Sequence, residues 1–168
     1  MSPGRPGPVL RLLFRAPTRL YDRDLGWLLG KRFLCLTHIG RKSGRRYRTV
    51  LEVIGTTPAT GEVAEGEVMV IAGMGPSADW YRNIQANPAV EVVVGRRRFP
   101  PAHRVLDDTE AAAVVRQYER RNRWVLPVIR PVLSTLLGWH YDGSETARTR
   151  LVHQLPIVAF RARPEQPR

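Results

Sequence analysis

Five cations fall within eight residues of the stretch GRKSGRRYR that begins at Gly40: Arg41, Lys42, Arg45, Arg46 and Arg48. Gly40 and Gly44 bracket Arg41, Lys42 and Ser43, so backbone N–H groups can converge there while the side chains add charge. An arginine fork, a lysine point charge and a serine hydroxyl together suit a phosphate or a carboxylate. Each charge-assisted hydrogen bond of that kind contributes ~1.5–3 kcal/mol. An exposed hairpin tip in an arginine-rich chain reads the same way, so spacing alone leaves both meanings open. Only Lys31 and Lys42 among the 27 cations are lysines, which discounts any count of arginines and singles out Lys42.

Other chemistry is sparse. The histidines at 38, 103, 140 and 153 lack metal-ligand spacing, and no cysteine or carboxylate cluster joins them. Cys35 is the only cysteine and sits in an apolar, strand-like run, where a buried thiol is expected. Neither GxGxxG after a strand nor GxxxxGK[ST] occurs, which disfavours dinucleotide-binding and P-loop architectures. Tyr81, Tyr118, His140 and Tyr141 are candidate proton donors, with no spacing that chooses among them. The net charge of +12 predicts attraction to anions. A polyanion-binding module is therefore one alternative, supported by GRRR at 95–98. No helix-turn-helix, RNP or zinc-finger pattern accompanies it, so no specific nucleic-acid partner is expected.

The elements that must carry these residues follow from pattern. FLCLTHI and YRTVLEVIG read as two strands, with the basic loop as the tip of their hairpin. VMVIAG reads as a buried strand, MGPSAD as a loop, and DWYRNIQANP as a short helix capped by Asp79 and stopped by Pro88. AVEVVVG is a further strand that RRRFPPAHRVL continues, with Pro100 and Pro101 restricting it to an edge or bend. Asp107 and Glu110 form a capping box that opens a helix to about Arg121. A Pro-interrupted apolar helix follows, and LVHQLPIVAF is read as the last strand. This order predicts an α+β fold around a small antiparallel barrel or strongly curved sheet. The expected organisation is a Pro/Gly-rich disordered tail over 1–8, a helical segment over 9–30, and one domain over 31–163.

In the helical segment Arg11, Arg15, Arg19 and Arg23 recur at four-residue spacing opposite leucines. That pattern suits either a solvated helix face or a helix lying on an anionic membrane. No apolar run reaches signal-peptide or membrane-spanning length without interruption. A cytoplasmic protein is expected, with residues 9–30 as a peripheral contact at the inner membrane face.

THIGRKSGRRYRTVLEV followed by VMVIAGMGPSADWYRNIQANPAVEVVVG resembles the deazaflavin-dependent nitroreductase family. Two ordered motifs carry the resemblance: the GRKSG loop between strands, and the ADWYRN…ANP helix leading into VEV.VG. The similarity implies a split β-barrel oxidoreductase that uses coenzyme F-420, an 8-hydroxy-5-deazaflavin, to exchange hydride with a quinone, nitroaromatic or enone-like acceptor. It implies that Arg41, Lys42 and Ser43 grip the coenzyme's phosphate and acidic tail. Gly73, Met74 and Gly75 would let the backbone approach the ring. Ala78, Asp79, Trp80 and Tyr81 would line or cap it, with Asn83 hydrogen-bonding nearby. Of the candidate donors read from the residues, Tyr81 and Tyr141 are taken as the catalytic pair. The family places an arginine where this chain has Tyr47; Arg48 replaces it only if the register or turn differs, and Arg46 is the other cation within reach. A related split barrel using flavin mononucleotide is the close enzymatic alternative, and the assembly is expected to be a monomer or a homodimer.

Overall fold

The computed structural model describes residues 30–58 and 66–164. The tail over 1–8 and, apart from Gly30 in a turn, the helix expected over 9–30 lie outside the described residues. In chain order the elements are β1 Phe33–Ile39, β2 Arg46–Thr56, β3 Val68–Ile71, a 3-10 turn Gly75–Ser77, α1 Asp79–Ala86, β4 Glu91–Val94, β5 Arg97–Phe99, β6 Pro101–Val105, α2 Asp108–Arg121, α3 Leu126–Leu137, α4 Glu145–Gln154 and β7 Ile157–Ala162.

The strands form one seven-stranded sheet in the order β5-β4-β1-β2-β3-β7-β6. β1 runs antiparallel to β2 on one side, Leu36 facing Thr49 and His38 facing Tyr47, and antiparallel to β4 on the other. Leu106 N–H donates to Ile157 O and Arg163 N–H to Pro100 O, so β6 and β7 also run in opposite directions. β5 and β6 are the two ends of this order, yet only Pro100 separates them in sequence. One residue cannot bridge the edges of a flat sheet, so the sheet curls back on itself as a split barrel. The fold class read from the sequence, α+β on a split β-barrel, is the observed one.

Two local readings change. RRRFPP does not continue β4. Gly95 at φ +57° reverses the chain, and Val94 pairs with Arg97 across a two-residue turn. Pro100 then hands the chain to the opposite edge, where a proline lacking its N–H is tolerated. Residues 145–154 are helix, so the first four residues of LVHQLPIVAF are helical and the last strand begins at Ile157. Ser144 accepts a hydrogen bond from Ala147 N–H, and Ala147, Leu151 and Val152 share one buried face. Capping and i, i+4 spacing together outweigh the β propensity of LVH. The capping expected at Asp107 is present, since its side chain accepts from Glu110 N–H at 2.9 Å.

The chain divides into two compact units. The first contains the chain as far as Val53, Asp79–Ala102 and Phe160 onward. Within it α1 packs on β1, and Leu34, Cys35, Leu36, Ile84 and Val92 are buried. The second contains Ile54–Ala78 and His103–Ala159. There α2 packs on α4, and Met69, Val114, Val115, Leu151 and Ile157 belong to its apolar core.

Candidate functional site

A cleft of about 480 Å³ opens in the first unit beneath the β1–β2 turn. Its walls include Arg41, Lys42, Ser43, Arg48, Asp79, Trp80 and Asn83, all named from the sequence, together with His38, Gly40, Tyr47 and Thr49. The hairpin and α1 bring these residues together. β1 delivers His38 at its end, the turn delivers Arg41 to Ser43, β2 returns Tyr47 to Thr49, and the first turns of α1 supply Asp79, Trp80 and Asn83.

One chain of hydrogen bonds organises the cleft. Asn83 Oδ1 accepts from Arg41 N–H at 3.1 Å and from Arg41 Nη1 at 2.9 Å. With its oxygen committed to two donors, Asn83 must present its NH₂ to His38 Nδ1, 3.1 Å away. His38 Nδ1 is then an acceptor, which places the imidazole proton on Nε2. That proton is donated to Thr49 Oγ1 at 3.0 Å. Thr49 spends its lone pair on His38, so its own hydroxyl hydrogen is directed elsewhere, and Thr49 lines the cleft. A fixed cation at one end has set the direction of a donor at the other.

Burial supports the neutral imidazole. His38 is 3% exposed and Asn83 5%. Desolvation lowers the His38 pKa from its ordinary 6.5, and the nearby Asp79 carboxylate only partly offsets this.

The basic loop is braced from within. Tyr47 stacks on His38 with ring centroids 6.0 Å apart, and its hydroxyl lies 3.0 Å from Ser43 Oγ. The ring lies so close to Gly40 that a Cβ there would come within 2.6 Å of it and within 2.5 Å of Ser43 Oγ. Gly40 is therefore required by close approach, whereas Gly44 is required by its left-handed backbone at φ +65°. Where the resembled family has an arginine, this chain uses an aromatic brace. Arg48 lines the cleft with it, and Arg46 is absent from the walls.

Arg41 is tied down, with Nη1 reaching Asp79 Oδ1 at 3.1 Å as well as Asn83. Lys42 is exposed. Asp79 is the first residue of α1, where a carboxylate complements the helix dipole, so it serves in the first turn and not as the N-cap.

Several residues named from the sequence are placed elsewhere. Gly73, Met74, Gly75 and Ala78 belong to the second unit and are not among the cleft walls. Gly75, at φ +62°, has Gln154 O where a Cβ would come within 3.0 Å, so its freedom serves packing against the end of α4. Tyr81 meets Trp80 edge-on, and it does not line the cleft. Tyr141 is 1% exposed in the second unit, where its hydroxyl donates to Glu119 Oε1 at 3.0 Å. Burial and the adjacent carboxylate push that phenol far above its ordinary range. A hydroxyl so committed is not a proton donor for the hairpin cleft. His38 and Thr49 are the residues sequence reasoning missed. The available signal was strand parity: Leu34, Leu36 and His38 alternate onto one buried row that ends in a polar ring.

Among the described residues, no group of three or more histidine, cysteine, aspartate or glutamate side chains could hold a metal ion. No described helix is long and apolar enough to cross a membrane.

The donor set suits an anion: an exposed ammonium, guanidinium groups from Arg41 and Arg48, and hydroxyls from Ser43 and Thr49. Comparison with known proteins gives a concordant result. The family model described as F420H(2)-dependent quinone reductase matches residues 13–125. An F420-H2 dependent reductase structure is 21% identical, with 78% of this chain and 95% of that one covered at a TM-score of 0.41. A structure described as a domain-swapped dimer is 21% identical, covering 90% and 98% at 0.43. A protein of unknown function from Agrobacterium tumefaciens is 14% identical, covering 96% and 59% at 0.48. No curated protein matches.

Proposed function

The chain belongs to the F420H(2)-dependent quinone reductase family, and from that premise we propose that the hairpin cleft holds the phosphate-bearing acidic tail of coenzyme F-420. Family membership makes it a deazaflavin-dependent oxidoreductase acting on a small-molecule acceptor, and so selects the deazaflavin over flavin mononucleotide or a nucleic-acid strand. The reading of the cleft rests above all on the directed chain Arg41–Asn83–His38–Thr49, which makes the Thr49 hydroxyl an acceptor from His38 and leaves its hydrogen for another partner in a basic cavity.

Within that reading the residues divide their work. Lys42 and Arg48 attract and hold the anionic tail, and Ser43 and Thr49 add hydroxyl donors. Arg41 acts mainly as an anchor: its hydrogen bonds to Asn83 and Asp79 fix the turn against α1. Tyr47 keeps the loop open by filling the space over Gly40. Pre-positioned donors lose little entropy when the ligand arrives. The bound deazaflavin supplies the hydride chemistry, and the protein's part is to hold and orient it. The physiological acceptor in this reading is a quinone.

The test is steady-state reduction of a quinone by the reduced coenzyme, following coenzyme absorbance. Lys42→Glu should raise KM for the coenzyme with little change in KM for the quinone. Turnover by the wild type that saturates with quinone but is indifferent to Lys42 would remove this assignment of the cleft.

A further inference from the structure

α3 presents its apolar side to solvent. The exposed apolar residues along it and its approach are Trp124, Pro127, Val128, Pro131, Val132 and Leu136, with Trp124 75% and Val128 71% exposed; Arg123 and Thr135 are exposed beside them. Trp124, Val128, Val132 and Leu136 recur every fourth residue and form one stripe. A helix on the surface of a soluble domain ordinarily turns charge outward. This one has a single charged residue, Arg130, and no acidic residue in its first turn. Around the stripe positive charge predominates, although Asp142 shares a surface pocket with Pro127, Arg130 and Pro131. From Arg120 to Tyr141 the chain contains Arg120, Arg121, Arg123 and Arg130 and no aspartate or glutamate.

We propose that this face of α3 docks onto the surface of an anionic lipid membrane. Charge complementarity decides the occupant: a second copy of the chain would bring the same arginines against each other, while an anionic headgroup layer attracts them. Each arginine near such a surface strengthens binding ~5-fold. A tryptophan at the end of the stripe suits the headgroup level, where an aromatic with one polar edge is favoured. Valine and leucine side chains enter the boundary beneath, and Pro127 and Pro131 add apolar surface without further charge. The surface also fits the quinone reading, since quinones with long hydrocarbon tails dissolve in lipid, and to that extent it rests on that reading.

The experiment is co-sedimentation of the full chain with vesicles of phosphatidylglycerol and phosphatidylcholine, comparing wild type with Val128→Glu/Val132→Glu. Glutamate is a better helix former than valine, so α3 is retained, and a thermal melt confirms it. The wild type should partition onto the vesicles, and the double variant at least ~10-fold less. Equal partition of both proteins would overturn the proposal by assigning binding to another segment or to net charge. Failure of the wild type to bind would also overturn it. So would a dimer in ultracentrifugation that the double substitution dissolves, because the stripe would then be a self-contact. None of these results alters coenzyme titration, so failure here is distinguishable from failure of the cleft assignment.

Discussion

Arginine does different work in two clusters, one at the β1–β2 turn of the first unit and one beside α2 and α4 in the second. In the second, Arg104 reaches both Glu67 and Glu110 at 2.6 Å, and Arg148 meets Glu119 at 2.6 Å and Glu145 at 2.7 Å. Arg116 adds a further contact to Glu145 at 2.8 Å. Glu119 is buried and also accepts from the Tyr141 hydroxyl, so that group of charges is closed on itself. In the first unit five cations crowd the hairpin turn, and Asp79, a carboxylate whose side chain is 85% exposed, reaches Arg41. A matched arginine stabilises structure, whereas the exposed Lys42 holds its charge available for a ligand. A cation is thus informative only once its carboxylates are located.

Breaking the matched side should give the largest effect. Glu119→Ala leaves Arg148 and the Tyr141 hydroxyl without their buried acceptor. Urea unfolding should show a loss of ~3–5 kcal/mol, while the folded fraction keeps its coenzyme affinity. The ligand side should respond in reverse. Lys42→Glu should weaken coenzyme binding ~10–100-fold, the scale of one charge-assisted hydrogen bond, with stability changed by less than ~0.5 kcal/mol as expected for an exposed site.

Thr49→Val sharpens the comparison by removing one hydroxyl without changing shape. It should cost ~2–10-fold in coenzyme affinity, the range of a neutral hydrogen bond. An unchanged affinity would show that the Arg41–Asn83–His38 chain ends in mere structure. The smallest effect is with pH. Burial depresses the folded-state value of His38 below 6.5, so the unfolded chain takes up this proton first as pH falls. The His38 contribution to stability is therefore complete above about 6.5 and declines with acid below it. A proton on Nδ1 would face the NH₂ of Asn83, so coenzyme affinity should decline over the same window. In His38→Gln the step should disappear from binding titrations and shrink in urea titrations, where burial of His103 lowers a second imidazole in the same direction.

What the sequence disclosed was local. Alternation in FLCLTHI, glycines at 40 and 44, Asp107 ahead of its helix and the stop at Pro88 each act within a few residues and leave a short-range signature. The basic loop and Asn83 were named from the sequence, but the bonds joining them cross 42 residues. The His38–Asn83 contact spans 45 residues and was not legible at all. The handover from β5 to β6 through Pro100 depends on curling of the whole sheet, so PP read locally as a bend within one strand. α4 was missed because its capping serine lies beside Gly143 and Asp142, which read as loop, and its last turn carries β-branched Val152. Tyr47 looked like a lost cation until the fold put its ring over Gly40.

Whether the hairpin cleft holds the coenzyme's acidic tail is tested most directly by fluorescence titration of oxidised coenzyme F-420 into wild type and Lys42→Glu. Saturable binding at micromolar coenzyme, weakened at least tenfold by the substitution and by added salt, is the predicted result. Wild-type binding that neither Lys42→Glu nor salt disturbs would contradict it.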